Sequence, residues 1–252
     1  MKTQLILFSV CHKKVESIPA DRTVIGVGPN GSAIGAACTD CTGDNISQKN
    51  PSYCELTALY WIWKNVSCDY VGLEHYRRFF FTKGQLIARP MGAEEIARIV
   101  ESGKVILPKP HKCGCTVYED YAANHDIADL ETCRNIIAED YPEYLGDFDG
   151  VMSGTQYSLA NMFVMPKTML DEYCAWLFDI LFKAEKHIDI LTKDAYQTRV
   201  FGFLAERLFN VWLRHKNPDI FYAPVYNIGD CPIVVRIKGK LSSNSNKAKI
   251  KR

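Results

Sequence analysis

The chain has 252 residues, of which 47% are hydrophobic and 23% charged, with 30 Lys and Arg against 29 Asp and Glu for a formal net charge of +1. That balance excludes the strong basic excess of a duplex nucleic-acid binder, and the apolar fraction suffices to bury one sizeable core. No run approaches the roughly 20 apolar residues of a membrane-crossing helix, and Met1–Val10 lacks the small-residue cleavage site of a secretory leader.

In chain order, Gln4 to Val10 reads as a buried opening strand, and Thr23 to Gly28 as a second that runs into the turn Pro29-Asn30-Gly31. Ala36 to Asn50 is polar and is expected as a loop. A helix begins near Pro51, with Leu56, Leu59, Tyr60 and Trp63 on one apolar face. Ser52 with Glu55 fits a capping box, which casts Glu55 as a cap rather than a catalyst. Asp69 to Leu73 follows as a strand leading into Glu74-His75-Tyr76-Arg77-Arg78. Ala93 to Ser102 is helical, and Lys104 to Pro108 is a strand stopped by its proline. Thr116 with Glu119 forms a second capping box opening a helix toward His125, and Ile127, Leu130 and Ile137 mark another. Leu159 to Met165 reads as a strand ended by Pro166. Thr168 then caps a long helix carrying Leu170, Cys174, Leu177 and Leu181 on one face, and a last helix spans Arg199 to Leu213. Strands alternating with helices predict an α/β fold, a mostly parallel central sheet flanked by helices. One domain is expected over residues 1–237, with a basic, disordered tail from Lys238 to Arg252.

Chemistry concentrates at predicted strand ends, where open α/β sheets bind ligands. Glu74, His75, Arg77 and Arg78 supply a carboxylate, an imidazole and two guanidinium forks, the last suited to phosphate. The plain alternative is a loop whose arginines pair with surface acids. His12 ends the first strand. Asp44, Asn45 and Ser47, with Lys49, precede a helix and have the groups to meet a ribose, a base or a phosphate, although Asp and Asn favour turns in any case. Glu206 interrupts an apolar helix face: it is either a buried general base or an ion-pair partner of Arg207 or Arg199. His125, followed by Asp126, is a further acid–base candidate, and Asn161 lies near the later predicted strand. No Asp-x-Asp stands at a strand end to hold a divalent metal. Arginines that neutralise a leaving diphosphate would make such a metal dispensable. Of the ten cysteines, Cys38-x-x-Cys41 and Cys113-x-Cys115 could together supply four thiolates to zinc, although the second spacing is wrong for most ribbons.

Three groups of segments resemble the DUF4422 family. The first runs from Asp44-Asn45-Ile46-Ser47 through Lys49-Asn50 to Tyr53-Cys54-Glu55-Leu56-Thr57-Ala58-Leu59-Tyr60-Trp61. The second is Asp69 through Arg78, and the third comprises Asn161-Met162-Phe163, Tyr173 to Phe178 and Arg199 to Leu208. The resemblance covers roughly residues 3 to 227. It implies a GT-A-like glycosyltransferase fold, in a family found among capsule, exopolysaccharide and O-antigen gene products. It also implies transfer of galactofuranosyl or related hexosyl groups from UDP-sugars without the usual Asp-x-Asp.

The expected protein is therefore a cytoplasmic glycosyltransferase. Its UDP-sugar donor is expected to be held by His12, Asp44, Asn45, Ser47, Glu74, His75, Arg77 and Arg78, with His125 and Asn161 on the acceptor side. Glu206, then Glu74, is the expected proton acceptor. No cofactor is required on this reading, and metal dependence stays open. The acceptor is a glycan or lipid-linked oligosaccharide, and the basic tail offers peripheral contact with the inner face of the membrane. The rival expectation is a non-catalytic, zinc-bearing partner in a polysaccharide assembly complex.

Overall fold

A computed structural model describes residues 3–14, 18–28, 31–82 and 89–227. β1 (Leu5–Cys11), β2 (Thr23–Gly26) and β3 (Cys38–Thr39) come first, then the short α1 (Asn50–Tyr53) and α2 (Leu56–Asn65). β4 (Tyr70–His75) and β5 (Arg78–Phe80) form a two-residue hairpin, followed by α3 (Ala93–Glu101), β6 (Val105–Pro108) and β7 (His111–Lys112). Next come α4 (Val117–Asn124), α5 (Ile127–Asp140), α6 (Leu145–Met152), β8 (Gln156–Tyr157) and β9 (Phe163–Pro166). The chain continues through α7 (Lys167–Ala184), α8 (Val200–Lys216), β10 (Ile220–Ala223) and β11 (Val225–Asn227).

The main sheet has the order β10-β6-β9-β4-β1-β2-β3, with β5 and β11 added beyond β4. β1 runs parallel to β2 and β4, β2 to β3 and β6 to β10. β9 is reversed, lying antiparallel between β4 and β6. The sheet is thus mostly parallel, with helices on both faces, as the alternating pattern predicts.

Alternation along each strand divides the core between the faces. Phe8, Val10, Val71, Leu73, Val105, Leu107, Phe163 and Met165 point into the larger apolar cluster, which also holds buried residues of α2, α5, α7 and α8. Leu7, Ile106 and Val164 point the other way, toward Ile96 and Val100 of α3. β1 and β4 are buried on both faces because both faces are covered.

Several local expectations change. The Ser52–Glu55 capping box does not form, because Cys54 adopts φ 51° and breaks the helix into α1 and α2. Ser52 Oγ instead donates to Lys49 O at 3.2 Å, and Glu55 turns toward Asn161. The Thr116–Glu119 box does form. Thr168 is not a cap, since α7 already starts at Lys167 behind Pro166. The strand expected from Leu159 begins only at Phe163, because Ala160 and Asn161 take φ 75° and 47°, outside extended geometry. The stretch expected as a loop before residue 50 contains β3 and a 3-10 turn at Ser47–Lys49. The tail from Lys238 lies outside the described residues. No described helix is long and apolar enough to cross a membrane.

Candidate active site

Parallel pairing of β1 and β4 sets Val10 beside His75, so both strands deliver their following residues to one edge of the sheet. From β1 comes His12, whose ring meets Tyr76 edge-on at 5.0 Å. From the β4–β5 hairpin come Tyr76, Arg77 and Arg78. The Arg77 guanidinium and the Lys13 ammonium lie 4.8 and 5.7 Å from the Tyr76 ring. The Tyr76 hydroxyl is buried without a hydrogen-bond partner. Arg199, just before α8, donates from Nε to Cys54 Sγ at 3.3 Å. Arg77, Arg78 and Arg199 are exposed, and among the described residues none forms an ion pair with a carboxylate. Partial burial, then the charges of Lys13, Arg77 and Arg199, pushes the His12 imidazole below its usual range. This edge is therefore a cationic patch whose guanidiniums are not bonded to a carboxylate, the electrostatic complement of a phosphate group.

A second group of side chains meets this edge from below. The Ala160 amide donates to Glu206 Oε1 at 2.9 Å, and Asn161 Nδ2 donates to Glu55 Oε1 at 2.8 Å. His75 Nε2 lies 2.6 Å from Ala160 O, so this ring nitrogen carries the proton. One two-residue segment thus ties the end of β4 to both carboxylates. Burial, then the negative charge of Glu55, pushes the Glu206 carboxyl up to about 7, against the pull of Arg207, the Ala160 amide and Arg78. The Glu206 side chain is 19% exposed, and its Oε2 accepts from Arg207 Nη1 at 3.3 Å, the ion pair that the sequence left open. Cys54, Ala160 and Asn161 all take positive φ around this carboxylate pair, whereas the other such non-glycine residue described, Asn217, is a helix C-cap. Strain of this kind costs about 1–3 kcal/mol per residue and persists where the surroundings enforce it.

Glu74 lies elsewhere than its sequence neighbours suggest. Its side chain is 0% exposed and is paired with Arg22, itself 0% exposed. Glu74 Oε1 also accepts from the Phe80 amide at 2.8 Å, and Arg22 Nη2 donates to Met91 O at 2.8 Å. The expectation that Glu74 touches the donor or takes a proton is corrected: as part of a buried strand it faces inward and buckles the hairpin that presents Arg77 and Arg78.

Asp44, Asn45 and Ser47 sit one strand along. Asp44 Oδ1 accepts from Tyr60 at 3.1 Å, and Asn45 Oδ1 accepts from both the amide and the hydroxyl of Ser47 at 3.2 and 3.0 Å. No hydrogen bond or ion pair in the described structure links them to Arg77 or Arg78. Asn45 and Ser47, but not Asp44, line a concavity of about 390 Å³ together with Ile46, Gln48 and Lys49. The adjoining Asn50 packs on Gly28 beyond the end of β2, where a Cβ would come within 2.7 Å of Asn50 Oδ1. His125 stands beyond Arg199, stacked on Phe203 at 4.1 Å.

The cysteine pairs do not assemble. Cys38 and Cys41 lie at the β3 edge, Cys113 and Cys115 beside β7, and no group of three or more metal-ligating side chains forms among the described residues.

Glu55, Arg199 and Arg22 are the site residues that sequence reasoning passed over. Glu55 could have been found by the rule that selects Glu206, a carboxylate set among apolar helical neighbours. The capping pattern at Ser52 masked it.

The chain is similar to the WbbM bifunctional glycosyltransferase in its apo form, with a TM-score of 0.81 and 31% identity. The match covers 89% of this chain and 45% of that one, so the chain spans less than half the length of that enzyme. No curated protein matches it. The model of a family described as a domain of unknown function, DUF4422, matches residues 6–217, from β1 to the end of α8. With most of its sheet, its eight described helices and its strand-end site inside that match, the chain belongs to the DUF4422 family.

Proposed function

We propose that the protein is a glycosyltransferase that moves a hexosyl group from a UDP-sugar to a hydroxyl of a growing surface polysaccharide or lipid-linked oligosaccharide. The observation that carries this reading is one sheet edge holding exposed guanidiniums that form no ion pair, near a part-exposed carboxylate whose pKa is raised to about 7. The likeness to a bifunctional glycosyltransferase supports it.

In this mechanism Arg77, Arg78 and Arg199 hold the donor diphosphate, with Lys13 and His12 at its side. The concavity lined by Asn45 and Ser47, with Asp44 beside it, takes the nucleoside through its shape, because Asn45 and Ser47 are already hydrogen-bonded to each other. The acceptor oxygen forms a bond to the anomeric carbon as the bond from that carbon to the diphosphate oxygen breaks. The electron pair leaves with the diphosphate, whose charge the guanidiniums stabilise. The acceptor proton passes to Glu206. Glu55 keeps that carboxyl basic, and the Ala160 amide orients it. The chemistry proposed here needs no divalent metal at the diphosphate. The site of action is the cytoplasmic side of the membrane, where such donors and carriers meet.

Calorimetric titration with UDP-, GDP- and dTDP-sugars, in EDTA and in Mn²⁺, tests the donor assignment. Binding of a UDP-sugar is expected in both buffers. The Arg77→Ala/Arg78→Ala variant is expected to weaken it by about 10- to 100-fold, the scale of losing hydrogen bonds to a charged group. No binding of any nucleotide sugar to the wild type would sink the reading.

A further inference from the structure

Phe203 follows Arg199 by four residues and precedes Glu206 by three, so the three side chains share one face of α8. At the start of that face, Phe203 and Arg199 meet an aromatic shelf. Tyr196 is 54% exposed, and its ring leans on Phe203 at 5.2 Å. His125 stacks on Phe203 and lies nearly parallel to Tyr196 at 6.1 Å. The Arg199 guanidinium sits 5.3 Å from the Phe203 ring and 5.9 Å from the Tyr196 ring, so shelf and cationic patch share one residue. Leu191, in the same connection between α7 and α8, is 91% exposed.

The polar edge of the shelf is set just as definitely. Gln197 Nε2 donates to Asn124 O at 2.8 Å, which orients the amide so that its Oε1 faces His125 Nδ1 at 3.0 Å. His125 Nδ1 is then the protonated nitrogen, and Nε2 keeps its lone pair. Burial lowers the pKa of the imidazole, which keeps it neutral at pH 7. The shelf therefore offers an open aromatic face, a guanidinium donor on one side and an imidazole acceptor on another. A hexose has the matching chemistry: an apolar C–H face to lie on a ring, and equatorial hydroxyls to meet polar groups at the ring's edge.

We infer that the Tyr196–His125–Phe203 shelf is the subsite for the terminal hexose of the acceptor, which stacks on Tyr196, gives a hydroxyl to His125 Nε2 and directs its reactive oxygen along α8 toward Glu206. The inference rests on the transferase reading for its direction of attack, but hexose binding at Tyr196 can be measured without turnover.

Saturation-transfer NMR of the full chain with methyl hexopyranosides and hexofuranosides, beside calorimetry with UDP, separates the two. Exposed as it is, Tyr196 can be replaced without opening the core. Saturation of the ring-face protons of at least one methyl hexoside is expected in the wild type and in Tyr196→Phe, with at least tenfold weaker binding in Tyr196→Ala and unchanged UDP affinity. Undiminished hexoside binding in Tyr196→Ala, or no hexoside binding at all beside intact UDP binding, would overturn the shelf and leave the transferase reading standing. Hexoside binding that depends on Tyr196 in a protein that binds no UDP would keep the shelf and remove the donor. With octyl hexosides, saturation of the octyl chain alone would also overturn the proposal, in favour of a lipid chain.

Discussion

Glu206→Gln is expected to lower the rate of glycosyl transfer by about 10²–10⁴, the usual scale for a lost general base, while leaving UDP-sugar affinity nearly unchanged. Glutamine keeps the shape and still accepts from the Ala160 amide, so the loss isolates proton transfer. In the wild type the base must be deprotonated, so kcat/KM should rise with pH through about 7, the value to which burial and Glu55 push this carboxyl in the free protein. The variant should lack that limb. Stability carries the opposite sign. With its pKa raised from 4.5 to about 7, the folded state holds this proton more tightly than the unfolded chain. The stabilisation is full below about 4.5 and is lost as pH rises through about 7. Removing the charge should therefore make the variant gain on the wild type between pH 5 and pH 8, by about 1–3 kcal/mol once the lost contact with Arg207 is set against it. Thermal unfolding of both proteins at the two pH values reads this directly. An unchanged kcat in the variant would remove Glu206 from the mechanism.

Glu74→Ala should have the largest effect on stability. It leaves the buried Arg22 guanidinium with only the part-exposed Asp21, at 2.8 Å, as counter-charge and frees the Phe80 amide. Breaking one half of a buried pair costs about 3–5 kcal/mol. For a chain of this size that is a fall in melting temperature of roughly 6–20 °C. Replacing both partners together, as Arg22→Met/Glu74→Leu, should recover much of the loss, because no charge is then stranded. A double-mutant cycle on urea midpoints measures the coupling. Equal midpoints for Glu74→Ala and the wild type would mean that the pair does not hold the hairpin.

What was legible in the sequence follows from what is local. β1, α3, β6, α5 and α8 were visible because periodicity and proline or glycine stops are properties of contiguous residues. So was the edge formed by His12 and the Arg77–Arg78 hairpin, since strand ends announce themselves. β5, β10 and β11 were not visible: each is three or four residues long and exists through its partner strand. The direction of the Glu74 side chain was misread because strand alternation, which points it inward, gives no hint of a buried Arg22 supplied 52 residues earlier. Glu55 was misread for the related reason that a capping pattern and a break at Cys54 look alike until backbone angles are known.

The reversal of β9 also bears on the order in which the molecule becomes competent. Because this strand runs against β4, its beginning rather than its end reaches the active edge, and Ala160 and Asn161 close the site across separations of 85, 106 and 46 residues to His75, Glu55 and Glu206. Contacts so distant along the chain bear their loop-closure entropy before they return any stabilisation. On refolding, the carboxylate pair is expected to take its geometry only when the reversed strand slots between β4 and β6, after the local helices and hairpins. Stopped-flow recovery of UDP-sugar binding is therefore expected to lag behind recovery of helical signal, with the proposed site completed together with the sheet rather than with any one element.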